Sequence, residues 1–154
     1  MEINFDDPKV KQAMAVYQSF WAINKTTAKL TKKNAESFGL SLQQLSILNT
    51  LVAFPELTQQ ELAEKLITTK STIRGGIDHL FEIGLVEKQY VKEDEGEGKL
   101  TLTTKGKEIS KKSSKHSLSY KAMLFALDKM AEEDIQSLLR IQKELLNHLI
   151  KSGF

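Results

Sequence analysis

The chain has 154 residues, no cysteine, 40% hydrophobic residues, and 22 Lys and Arg against 20 Asp and Glu, a formal net charge of +2. That length and apolar content suffice for one domain with a real core and exclude an intrinsically disordered chain; the lack of thiols excludes a disulfide framework and a cysteine-based oxidation switch. So small a net charge does not announce a nucleic-acid partner, and the distribution of charge matters more than its sum.

Residues 1–7 lack the basic start and apolar core of a signal peptide, and no segment approaches ~20 apolar residues, so a cytoplasmic protein without a membrane partner is expected. A long helix is predicted over residues 8–38, with Pro8 in its first turn, Val10, Met14, Tyr17, Phe20, Trp21 and Leu30 among its apolar positions, and Gly39 at its end. Ser41-Leu42-Gln43-Gln44 carries a capping-box pattern for a second helix, lined by Leu45, Leu48, Leu51 and Val52 and stopped by Pro55. Thr58-Gln59-Gln60-Glu61 repeats that pattern for a short third helix with Leu62, Ala63 and Leu66 on one face. After a break at Ile67-Thr68-Thr69, a fourth helix spaces Ile73, Ile77, Leu80 and Phe81 as a single apolar stripe.

Gly84 can take the left-handed conformation that closes a helix, and Val86 to Val91 then reads as extended. Lys92 to Gly98 is a charged, glycine-containing tip, and Lys99 to Thr103 alternates as a returning strand. Thr103 or Thr104 caps the next predicted helix, which carries Ile109, Leu118, Met123, Leu124 and Leu127. The last helix is predicted from about Glu132 to Lys151; its Ile135, Leu138, Leu139, Ile141, Leu145, Leu146, Leu149 and Ile150 are more apolar surface than one helix of a small monomer readily buries. The expected fold is mainly α (α+β): a winged helix-turn-helix over 41–104, with helices at 1–38 and 105–154 for dimerisation, in one domain of 1–154.

In a helix-turn-helix, the N-terminal residues of the second helix meet base edges in the major groove while the first helix crosses the backbone. Thr69, Lys70, Ser71, Thr72, Arg74, Gly75 and Asp78 lie around the start of that helix, off the apolar stripe. The first six of these are the candidate contacts to double-stranded DNA, with Arg74 suited to a guanine edge and the helix start to phosphate oxygens. A solvated helix face is the alternative. Gly75-Gly76 inside the helix costs roughly 1 kcal/mol per glycine relative to alanine, which close approach of DNA or a neighbouring helix would justify; a locally soft helix is the other reading. Between Lys99 and Lys129, eight lysines face only Glu108 and Asp128, a run that either follows phosphates or is simply solvated.

The segments LTQQELAEKL, STIRGGIDHLFEIGLVEK and LTLTTKG, in this order and spacing, resemble the MarR family of bacterial transcriptional regulators, and the flanking helical segments extend the likeness over nearly the whole chain. The resemblance implies a homodimer, built by the first and last two helices across a two-fold axis, that binds a palindromic operator with recognition helices about one DNA turn (~34 Å) apart. It further implies a repressor, released in many members by a small aromatic compound, for which Tyr17, Phe20 and Trp21 are the candidate effector-binding residues. Family wings carry an aspartate followed by arginines at the tip. Here Asp94 falls at the aspartate position, but Glu95 and Gly96 occupy the arginine positions within an acidic run that also holds Glu93 and Glu97. Lys92 and Lys99 are therefore the wing's candidate DNA contacts.

Chemistry of other kinds is thin. His79, His116 and His148 are far apart and form no metal-binding pattern; a composite site of His116, His148 and a carboxylate is implied only by zinc-sensing relatives. No phosphate-binding glycine loop or nucleophile elbow is present, so no enzyme, cofactor or metal is expected. The competing functional class is a winged-helix module that docks proteins through its acidic wing and no longer grips DNA.

Overall fold

A computed structural model describes residues 2–90 and 98–153. The chain forms two compact units, Met1–Leu118 and Ser119–Phe154.

In the first unit, α1 (Pro8–Ser37) starts at Asp7, whose carboxylate accepts the Lys9 amide at 2.7 Å, and has Pro8 at its first position. Helix α2 (Leu42–Ala53) opens on the expected capping box: the Gln44 amide donates to Ser41 Oγ, and the Ser41 amide to Gln44 Oε1. Helix α3 (Gln59–Lys65) opens on the same device, with Thr58 and Glu61 in the reciprocal roles. Each box satisfies two donors that a helix start otherwise leaves to water. Helix α4 (Lys70–Glu82) is capped by Thr69 and closed by Gly84 at φ +74°.

Strands β2 (Val86–Gln89) and β3 (Lys99–Leu102) pair antiparallel, Val86 opposite Leu102 and Lys88 opposite Leu100. A two-residue strand, β1 (Leu57–Thr58), pairs with the other edge of β3 and gives the sheet the order β1-β3-β2. The sequence pattern does not predict β1, because two residues are too few for an alternation to be visible. The strand predicted from Val86 to Val91 stops at Gln89, and Tyr90, which is exposed, lies beyond it; Val91 and the tip from Lys92 to Glu97 lie outside the described residues. Helix α5 (Thr104–Lys115) is capped by Thr103, whose hydroxyl accepts the Gly106 amide and donates to the Gly84 carbonyl at 2.6 Å, tying the helix to the end of α4.

The core is the inner face of α2 (Leu45, Ile47, Leu48, Leu51) closed by Leu62 and Ala63, by Ile73, Ile77 and Leu80, and by Val86, Leu100 and Leu102 of the sheet. Phe81 departs from the predicted stripe and is 54% exposed. Ile73, Ile77 and Leu80 already fill the contact with α2, and Phe81, next to Leu80, is turned off that line. Two polar contacts fasten the flanking helices: Asn34 Nδ2 of α1 donates to the Ser113 carbonyl of α5 at 3.0 Å, and Ser110 Oγ donates to Asn49 Oδ1 of α2 at 2.8 Å.

The single helix predicted after the wing is two. Helix α5 ends at Lys115 and α6 (Leu118–Leu127) follows. The break falls where Ser113, Ser114 and Ser117 crowd the segment, and serine hydroxyls compete for backbone partners and weaken a helix interior. In the second unit, α7 (Glu132–Lys151) occupies the range predicted for it, with Glu132, Glu133 and Asp134 in the first turn, where the helix dipole favours acids. Neither α6 nor α7 has a buried residue.

Candidate nucleic-acid interface

The polar edge of α4 faces outward. Thr69, Lys70, Ser71, Thr72, Arg74, Gly75 and Asp78 are exposed, while Ile73, Ile77 and Leu80 turn inward. Thr69, Lys70, Ser71, Arg74 and Asp78 line an open concavity of about 710 Å³, completed by Gln59 at the start of α3 and by Lys88 and Gly98 toward the loop end of the β2–β3 pair. The start of α4 and the loop end of the β2–β3 pair thus share one surface, edged by cations and hydroxyls. Asp78 sets one acid within it, a group that can accept from a cytosine amino group and that repels phosphates.

The candidates divide by position. Thr69 spends its hydroxyl locally: it accepts the Thr72 amide and lies 2.7 Å from Thr72 Oγ1 and 3.1 Å from Ser71 Oγ, so it holds the helix start in shape. Thr72, Gly75 and Lys99 are exposed but do not line the concavity. Lys92 lies outside the described residues.

Two framework glutamines fix the height of α4. Gln59 Nε2 donates to the Lys70 carbonyl at 3.1 Å, and Gln43 Nε2 donates to the Thr72 carbonyl at 3.3 Å, so α2 and α3 both grip the first turn of the recognition helix. Neither bond has a local signal in the sequence, since each joins elements distant along the chain. Lys88 was not among the sequence candidates: strand alternation alone puts it on the side of Val86, but its place beside α4 shows only in the structure, where its register partner is the buried Leu100 and it lines the concavity.

The glycine pair also resolves. A Cβ on Gly76 would lie 2.8 Å from Gln43 Oε1 and 3.3 Å from Ile47 Cδ1, so this glycine admits α2. A Cβ on Gly75 would meet nothing within 4 Å. Packing inside the chain therefore accounts for one glycine and leaves the outward one to the solvent face.

The three effector candidates lie on α1, and the structure does not bury them as core: Tyr17 is 71% exposed, Trp21 54% and Phe20 36%. Trp21 lines an open cleft of about 440 Å³ with Lys25, Lys29, Lys32 and Leu42; that lining does not include Tyr17 or Phe20. Among the described residues, no group of three His, Asp or Glu is placed to hold a metal, and no helix is long and apolar enough to cross a membrane.

Comparison with known proteins accords with this geometry. The MarR family model matches residues 40–95, from the start of α2 into the wing. A multiple antibiotic-resistance repressor (MarR) of Listeria monocytogenes is 30% identical over 95% of this chain and 100% of its own, with a TM-score of 0.62. The fold is shared with Staphylococcus aureus MarR in complex with salicylate and kanamycin (22% identity, 93% of this chain and 95% of that one, TM-score 0.80) and with a mutant Escherichia coli MarR complexed with operator DNA (16% identity, 88% and 96%, TM-score 0.75). Curated protein sequences give no match. A winged helix-turn-helix with its recognition edge exposed defines a class of transcriptional regulators. Within it, the chain belongs to the MarR family.

Proposed function

We propose that the chain is a cytoplasmic repressor that binds a palindromic operator as a homodimer, residues 41–104 gripping DNA while 1–38 and 105–154 pair the subunits. The observation that carries this reading is the concavity in which Lys70, Ser71 and Arg74 meet Lys88 of β2. Its opening lies beside a helix start, where backbone amides and the dipole favour phosphate. Arg74 reads a guanine edge; Lys70, Lys88 and Lys99 position the protein through phosphates. The operator complex of the Escherichia coli relative, which shares this fold, supports DNA as the partner.

Pairing is supported by the apolar surface that a single chain leaves open. Leu139, Ile141, Leu146, Leu149 and Ile150 of α7, with Leu124 and Phe125 of α6, are each at least half exposed. Contiguous apolar faces of this kind are the usual mark of an interface. An aromatic effector is supported by the Trp21 cleft, whose ring and lysines suit an aromatic carboxylate, and by the salicylate held by the Staphylococcus aureus relative. Such a ligand acts only by preferring a dimer whose recognition helices are wrongly spaced for the operator.

The test is selection of duplexes from a random pool, followed by binding titrations over a range of salt. A recovered palindrome, affinity that falls steeply with salt, and weakened, less selective binding by Arg74→Ala are expected. Equal binding of every duplex by Arg74→Ala and the parent refutes the base-reading role.

A further inference from the structure

Three helices of this chain end in the same way. At α1, the Gly39 amide donates to the Glu36 carbonyl and the Leu40 amide to the Ala35 carbonyl; at α4, Gly84 donates to Phe81 and Leu85 to Leu80. At α3, Ile67 donates to Glu64 at 3.1 Å and Thr68 to Ala63 at 3.0 Å. These paired bonds define the Schellman ending, in which the residue after the cap takes positive φ. The first two endings use glycine, at φ +71° and +74°; the third uses Ile67 at φ +53°, the only non-glycine residue with positive φ among those described.

A β-branched residue is disfavoured in that conformation, because its Cβ crowds the following carbonyl. Burial does not compensate, since Ile67 is 91% exposed, the most exposed of the large hydrophobic side chains described. A lone exposed isoleucine is ordinary; one that also strains the backbone where glycine serves elsewhere in the same chain is not. Its place supplies the reason. It stands two residues before Thr69, the cap of α4, and three before Lys70, so the chain holds it within a few residues' reach of the concavity that Thr69, Lys70, Ser71 and Arg74 line, although Ile67 is not itself one of the lining residues.

The geometry points to Ile67 as a specificity residue that packs against a thymine methyl at the margin of the major groove. The methyl is the apolar group that base pairs offer there. This rests on the operator-binding reading above, and it assigns to the turn a role beyond linking two helices: preference for thymine at one position in each half-site.

The test uses the full chain and a duplex selected from a random pool, remade with each thymine in turn replaced by deoxyuridine, which removes only the methyl. The parent is expected to lose about fourfold in affinity at one symmetry-related thymine, the effect of one buried methyl. Ile67→Gly is expected to bind thymine and deoxyuridine equally at that position while keeping the parent's pattern elsewhere. Its thermal midpoint should rise by about 2–4 °C through relief of the strained φ, so lost discrimination is not unfolding. If Ile67→Gly binds the operator with the parent's full methyl pattern, Ile67 is no reader and the inference falls while operator binding stands. If the parent binds no duplex at low salt, the operator reading falls as well.

Discussion

Three helical glycines should answer an added methyl group in three different ways. In a helix interior, Gly→Ala gains roughly 1 kcal/mol from reduced backbone entropy. Gly75 has nothing within 4 Å of the new Cβ, so Gly75→Ala should keep the whole gain and raise the thermal midpoint by about 2–4 °C. At Gly76 the same gain meets Gln43 Oε1 at 2.8 Å and Ile47 Cδ1 at 3.3 Å. Gln43 can swing away, but it then gives up its bond to the Thr72 carbonyl, worth about 1 kcal/mol, and the net change should lie near zero. Gly106 is different in kind, because its Cβ would press into the Leu85 carbonyl, a backbone group that also accepts the Thr103 amide at 3.1 Å. Overpacking against a backbone that cannot turn away costs about 1–3 kcal/mol or more, and the Thr103 bond is lost with it, so Gly106→Ala should destabilise by about 2 kcal/mol despite the helix gain. Thermal melts followed by circular dichroism at one fixed protein concentration measure all three, the concentration being held because association of subunits makes a midpoint depend on it. An unchanged Gly106→Ala, or a destabilised Gly75→Ala, refutes the reasoning from Cβ space.

Other changes separate the parts of the interface and of the fold. Lys88→Ala should weaken binding to all duplexes about equally and lower the salt slope by about 1, whereas Arg74→Ala should relax preference at one base position; anisotropy titrations on matched and mismatched duplexes distinguish the two. Thr58→Ala removes the acceptor for the Glu61 amide and should cost about 1 kcal/mol in urea unfolding, with Thr58→Ser close to the parent. Asn34→Ala strips the buried Ser113 carbonyl of its Asn34 donor and should cost about 1–3 kcal/mol in the same assay. Leu146→Glu places a charge within the exposed apolar face of α7; if the proposed dimer pairs through this face, sedimentation should show a dimeric parent and a monomeric variant, and a variant as dimeric as the parent would move the interface elsewhere.

Much of this molecule is settled locally. Ser41 with Gln44 and Thr58 with Glu61 start their helices through bonds spanning three residues, so their chemistry is complete within a short window. The spacing of Ile73, Ile77 and Leu80 likewise fixes which side of α4 turns inward, and with it the outward edge that holds Lys70 and Arg74. Other features exist only once distant segments meet. Leu57–Thr58 is a strand solely because β3 lies beside it, and the break after Lys115 is a balance that serine-rich sequence leaves close to even. Gln43 and Gln59 bond carbonyls of the first turn of α4, 29 and 11 residues away, and Gly76 differs from its neighbour Gly75 only by what α2 brings against it. A local hydrogen bond or an apolar period is written in consecutive residues, whereas the use of a polar side chain or the space at a glycine depends on contacts that no short window contains.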